Sequence, residues 1–197
     1  MTVRTRHHNA AAHREEIADQ VNTNTTDIST LETQSPTLGT EVDATNSGAD
    51  DLTSIDFTGI PSWVTKIQIL FSGISTSGTS NVMVQIGDSG GVETSGYLGC
   101  AARITVGTTN TSNFTTGFGL LSSMSAVSVI HGILYLTLED SSNNTWVYGF
   151  DGGLSNGNAV LCGGGNKSLS AALDRVSITT VGGSDTFDAG DINILYE

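Results

Sequence analysis

Apolar residues follow two different periods along this chain, and the change falls between Leu31 and Leu52. Before it, Ile17, Val21, Asn24, Ile28 and Leu31 recur at alternating steps of four and three. That spacing lays them along one stripe of an α-helix as a heptad seam, with Val21 and Ile28 at a and Ile17, Asn24 and Leu31 at d. After it the period is two. Ile67, Ile69 and Phe71 share a face, as do Val82, Val84 and Ile86; Ile133 and Tyr135 alternate with Leu134, Leu136 and Leu138. Val176 with Ile178, and Ile192 with Ile194 and Tyr196, close the chain in the same way. Such alternation marks strands. Gly, Ser, Asn and Asp clusters at 72–80, 87–96, 107–113, 140–144, 152–158, 163–167 and 182–190 punctuate them. The pattern predicts a mostly β chain: an antiparallel β-sandwich or jelly-roll head domain preceded by a short N-terminal coiled-coil helix.

The seam covers only about two to three heptads, and isolated helices below roughly a dozen residues are marginal in water. Its middle, Asn22 to Thr26, is made of poor helix formers. A partner-supplied seam explains why it is helical at all. Asn24 is a polar residue at a core position, a choice that lowers stability but fixes register and strand number. It looks like the asparagine-at-d layer of trimeric adhesin and fibre stalks, which implies three amides turned inward around an anion. The alternative is one surface helix packed on its own domain, with Asn24 on a solvated edge.

The flanks of the seam divide the chain further. Residues 1–14 hold Arg4, Arg6, Arg14, His7, His8 and His13 and no acid. Residues 15–34 form the stalk, 35–51 a linker interrupted by Pro36, Gly39 and Gly48, and 52–197 the head. Pro36 cannot continue the helix, so the linker is expected to run as an extended neck. We read Arg4, Arg6, His7, His8 and Arg14 as docking groups for an acidic or carbonyl-rich socket on a larger particle. The competing readings are a solvated tail or, for the His pair, an expression remnant.

Composition narrows the function classes. The 197 residues include 24 Gly, only 14% are charged, and the formal net charge is −13. Ser, Thr and Asn therefore supply most of the polar surface, which suits turn-rich β structure. Because residues 1–14 are basic, the remainder is more acidic than the net charge states. An acidic body repels phosphates, so nucleic acid is not an expected partner. The most apolar stretch, Val127 to Leu138, is broken by Ser128, His131 and Gly132. It is too short for membrane insertion, and no export signal is read. Cys100 and Cys162 are expected to be free thiols rather than a disulfide, with Cys100 buried on the alternation of Leu98, Ala102 and Ile104.

Several ordered motifs carry a family resemblance. They are Ser54-Ile-Asp-Phe-Thr-Gly-Ile-Pro-Ser-Trp63, Phe71-Ser-Gly-Ile-Ser-Thr-Ser-Gly-Thr-Ser-Asn81, Gln85-Ile-Gly-Asp-Ser-Gly-Gly91 and Thr94-Ser-Gly-Tyr-Leu-Gly99. The closing segments Leu173-Asp-Arg-Val-Ser-Ile-Thr-Thr180 and Thr186-Phe-Asp-Ala-Gly-Asp-Ile-Asn-Ile-Leu-Tyr-Glu197 belong with them. Together they resemble a C-terminal module of tailed-bacteriophage tail fibres, over most of 52–197 but not the leader. The resemblance implies a β-rich, homotrimeric distal domain of a virion fibre that contacts the host surface.

Candidate chemistry is sparse. Gly87-Asp-Ser-Gly-Gly91 spells the nucleophile loop of chymotrypsin-like proteases, but the His residues upstream of it lie in the polar leader, and the same residues suit a tight hairpin. Ser89 is read as a turn residue. Trp146, Tyr148 and Phe150 alternate on one strand face, either as a platform for stacking sugar rings or as core. Asp185, Asp188 and Asp191 lack the terminal bidentate Glu of an EF-hand, and Glu139-Asp140 lacks a cleft. No catalytic residue, metal or cofactor is therefore expected, and the chain is not expected to be an enzyme.

These readings converge on a homotrimeric virion protein. Its N-terminus docks on a baseplate, tail adaptor or capsid protein, and its heads bind a host surface glycan or protein by avidity. The alternative is a capsid-bound head fibre or decoration protein. Either is assembled in the host cytoplasm and exposed on the particle.

Overall fold

The computed structural model describes residues 4–45 and 52–197. The chain divides into two compact units at the Ser35/Pro36 junction. The first is a single helix, α1, Arg4–Thr33. Its start lies well upstream of the predicted stalk, so most of the basic leader is continuous with the stalk helix. Ala10, Ala11, Ala12, Glu15 and Glu16 are good helix formers and carry the helix back through it. In the poorer Thr/Asn run, hydroxyls bond back along the helix. Thr23, Thr25, Thr26 and Thr30 donate to the carbonyls of Asp19, Val21, Asn22 and Thr26 at 2.8 to 3.0 Å. Gln34 N–H closes the last turn on the Thr30 carbonyl, and Pro36 stops the helix.

The second unit is built of strands, fourteen among the described residues. In chain order they are β1 (Thr37–Leu38), β2 (Val42–Asp43), β3 (Ser54–Thr58), β4 (Lys66–Thr76), β5 (Val82–Asp88), β6 (Gly91–Val92) and β7 (Leu98–Thr105). There follow β8 (Thr108–Phe114), β9 (Phe118–Gly119), β10 (Ile130–Asp140), β11 (Thr145–Leu154), β12 (Ala159–Ser168), β13 (Arg175–Thr180) and β14 (Phe187–Tyr196). A nine-stranded sheet takes the order β1-β14-β4-β10-β11-β12-β7-β8, with β2 also on β14. A five-stranded sheet takes β3-β13-β5-β6, with β9 on β5. Every pairing is antiparallel.

The linker prediction needs revision. Thr37 and Leu38 pair with Tyr196 and Leu195, while Val42 and Asp43 pair with Ile192 and Asp191. Ala44 is fully buried in the core. The strand unit thus begins at Pro36 rather than Leu52, because β14 offers an unpaired edge that two short segments cover. Part of the predicted linker, residues 46–51, lies outside the described residues.

One apolar cluster joins the two sheets. The larger sheet contributes Ile67, Ile69 and Phe71, Leu134 and Leu136, and Ile192 and Ile194; the smaller contributes Ile55, Val82, Val84, Ile86, Val176 and Ile178. These are the alternating sets read from the pattern, with the Leu134 and Leu136 face turned inward and Tyr135 outward. Phe118, from the two-residue strand β9, is the hinge of the packing. It stacks on Tyr148 of the larger sheet at 4.3 Å and meets Tyr97 edge-on at 4.9 Å.

Because Phe118 is fully buried between these rings, Phe118→Ala is expected to lower the unfolding free energy by about 3–5 kcal/mol, read as the shift of a urea transition of the full chain.

Candidate functional site

The helix carries the clearest unsatisfied surface. Every side chain described from Ala11 to Leu31 is exposed, and the four apolar members of the seam are uncovered: Ile17 50%, Val21 55%, Ile28 57% and Leu31 70%. Asn24, in the same stripe, accepts a 2.8 Å hydrogen bond from the Gln20 amide within its own helix. Arg14 is exposed beside them, and His13 Nδ1 lies 3.7 Å from a Glu16 carboxylate oxygen. Arg4, Arg6, His7 and His8 fall in the first turns, where the backbone alone is described. No acidic residue occupies that first turn, the positive end of the helix dipole.

The aromatic trio is displaced from the role of a binding platform. Trp146, Tyr148 and Phe150 are 2%, 2% and 1% exposed, facing the core from β11. Tyr148 stacks on Phe118 and donates to the Cys100 carbonyl at 3.2 Å; Phe150 meets Phe71 edge-on at 6.0 Å. Burial pushes the Tyr148 hydroxyl well above its ordinary pKa, which keeps it a donor. Trp146 leaves its indole N–H buried without a partner, beside a 150 Å³ cavity lined by Ser62, Leu138, Asn144 and Leu173. No ring face of the three is open to a sugar. Alternation alone marks a shared face and cannot say which side of the sheet it occupies.

The cysteines show the same ambiguity resolved the other way. Both thiols are free, and Cys100 is exposed rather than buried. In β7 the inward residue is Ala101, at 1% exposure, whereas Leu98, Cys100 and Ile104 face out. Both sides of this strand read as apolar in sequence, so the period was right and the side was not.

Gly87-Asp-Ser-Gly-Gly91 is a two-residue hairpin. Gly87 pairs with Val92 and Asp88 with Gly91, leaving Ser89 and Gly90 as the turn, closed by a 2.7 Å bond from Gly90 N–H to the Asp88 carboxylate. A side chain at 87 would collide with the Gly91 carbonyl at 2.1 Å, and Gly91 holds φ at +132°, so both glycines have backbone reasons. His131 is engaged elsewhere, with Ser155 Oγ and the Gly73 N–H. Asp185 accepts from Ser80 N–H at 2.8 Å, and Asp140 caps its own turn through Ser142 and Asn143. Among the described residues no three His, Cys, Asp or Glu side chains converge as a metal site.

A buried polar clip that sequence reasoning missed ties the sheets together. Lys167, buried on β12, pairs with the Glu93 carboxylate and lies 5.7 Å over the Tyr97 ring. Glu93 also accepts from Ser170 N–H, and Ser170 Oγ donates to Asp88, each at 2.7 Å. Tyr97 Oη accepts from Ile86 N–H and donates to the Glu93 carbonyl, both at 2.8 Å. The hydrogen bond from Ser170 holds Asp88 below the usual carboxylate range. Burial raises Glu93, but its bonds from Lys167 and Ser170 outweigh that and leave it lowered. With few charges in the chain, Lys167 at a predicted turn was the one visible signal. Nothing local to it pointed to Glu93, far earlier in the sequence.

Besides a mainly apolar cleft of 430 Å³ at His131, Gly153, Leu154 and Ser155, two open clefts stand out. One, of 370 Å³, is rich in hydroxyls from Thr94, Thr116 and Thr179 around Gln85; the other, of 310 Å³, lies between Val42, Asp56, Phe57 and Tyr196. Both are lined by polar and apolar groups without a concentrated charge. No protein-family model matches the chain, and no curated protein sequence matches it.

Removing the clip has a clear expected signature. Lys167→Met should destabilise by about 1–3 kcal/mol, because the partly buried Glu93 carboxylate loses its cation and keeps only the bond from Ser170 N–H. Lys66→Met, which breaks the exposed 2.9 Å pair with Glu197, should cost under about 1 kcal/mol. Since Asp88 and Glu93 are lowered in the fold, their contribution is present above their unfolded values, about 4, and is lost as pH falls through the folded ones. Urea transitions between neutral pH and pH about 3 should show that loss, with a shallower dependence in the Lys167→Met chain.

Proposed function

We propose that this chain is a homotrimeric virion fibre of the tailed-bacteriophage tail-fibre type. Its α1 segment forms a three-stranded coiled coil, its basic N-terminal turns dock on the particle, and its strand unit meets the host surface. The observation that carries the reading is the uncovered seam. Ile17, Val21, Ile28 and Leu31 are each half exposed or more, in a helix whose middle is too poor in propensity to persist alone. Parallel copies would cover the stripe and turn Asn24 inward, where a polar d position sets register at some expense of stability.

Two further features support it. The helix start, where Arg4 and Arg6 fall, holds no first-turn acid, so an acidic or carbonyl-rich socket would complement it. The strand unit presents hydroxyl-lined clefts rather than one deep charged pocket. That fits a surface receptor, glycan or protein, engaged weakly at several equivalent sites whose combined avidity supplies adsorption. With the aromatic trio in the core, the threonine-rich cleft takes its place as the contact to test.

Replacing Ile28 and Leu31 together by Asn should reduce helical circular dichroism and raise the dissociation concentration of the trimer more than tenfold, since each buried Ile or Leu contributes about 1.5–3 kcal/mol. Light scattering that shows a trimer of undiminished stability would hand assembly to the strand units. Deleting residues 1–14 should leave trimers that no longer attach to particles. On intact virions, antibody against the strand unit should decorate tails; decoration of the icosahedral shell would instead assign the capsid-fibre alternative.

A further inference from the structure

The outward face of the nine-stranded sheet is unlike the surface of a sheet that faces water. Antiparallel sheets with one solvated side normally alternate apolar-in with polar-out. Here Leu38, Leu98, Ile104, Val147 and Val160 point out and are 41 to 69% exposed, and Tyr135 is 40% exposed among them. The register places Cys100, Gly164, Gly149, Tyr135, Gln68 and Leu195 in one row across successive strands, all without charge. In the two flanking rows Asp151 is the single carboxylate among the described strand residues, and Lys66 at the margin is already paired with Glu197; the fourth row runs from Ile104 and Val160 through Gly153, His131 and Ser72 and carries its carboxylates, Asp191 and Asp43, only at the β14 edge.

We propose that this face is where the strand unit meets other copies of the same chain, the inference resting on the three-copy reading above. Charge selects the occupant. Two subunits of net charge −13 repel across most of their surfaces, and this nearly neutral face lets them approach with the least repulsion. Size agrees. Eight strands spaced by about 4.8 Å and four outward rows give a footprint of roughly 700 Å², close to the ~800 Å² that each partner buries in a standard interface. Shape agrees too. Gly149 and Gly164 at the middle of the row carry no side chain, so a neighbouring backbone can come close. Turned toward a threefold axis, one such face touches both neighbours.

Cys100 stands in this row and reports on it. In the full-length Cys162→Ser chain it is the sole thiol. A three-copy mass by light scattering, with Cys100 reacting with a disulfide reagent at least tenfold more slowly than in the urea-unfolded chain, is the expected result. Adding Gly149→Glu should restore fast reaction and weaken assembly without loss of strand circular dichroism, because a Cβ at 149 meets open space. A three-copy mass with fast Cys100 overturns the face and leaves the coiled-coil trimer standing. A two-copy mass with slow Cys100 keeps the face and removes the threefold reading. A single-copy mass overturns both. Fast reaction in the purified trimer that slows only on intact particles gives the face to another particle protein and overturns the proposal.

Discussion

Phe118 wedged between Tyr97 and Tyr148 is the contact on which the strand unit depends. A nine-stranded sheet with an apolar inner face has to be covered, and the five-stranded sheet covers it only where their side chains interlock. Phe118 comes from a strand of two residues held by β5, and it reaches across to β11. Tyr97 fixes the other side of the ring, and its hydroxyl is anchored on the backbone of Ile86. The Lys167–Glu93 pair sits over the same tyrosine, so the polar clip and the aromatic stack reinforce one junction.

Away from that junction the chain leaves apolar surface uncovered in two places, one on each unit. On α1 it is the heptad stripe; on the strand unit it is the outward face of the larger sheet. A monomer gains nothing from either. Their joint presence on one chain is what the proposed assembly accounts for. The hydroxyl-rich remainder leaves the clefts of the strand unit free for shallow contacts.

The candidate sites show how far local pattern reaches. Gly87 to Gly91 matched a protease loop by letters, but hairpin geometry accounts for both glycines and for the Asp88 bond. The Trp146, Tyr148 and Phe150 alternation was read correctly as one face, and the face proved to be the core. The opposite happened at β7, where the set containing Cys100 turned outward. The Lys167–Glu93 clip lay beyond sequence reading, because the partners are remote and neither sits in a motif.

The periodicities belong to the sequence: a heptad stripe means a helix, a two-residue alternation means strands, and clusters of Gly, Ser, Asn and Asp mean turns. Each is decided by backbone geometry within a few residues. Tertiary structure decided which side of each strand faces in, since alternation is unchanged when a strand is turned over and several strands here are apolar on both sides. It also decided that Thr37–Leu38 and Val42–Asp43 belong to the sheet, because the open edge of β14 that captures them is made at the far end of the chain. Pairing between remote segments is a property of the assembled core, and no local spacing encodes it.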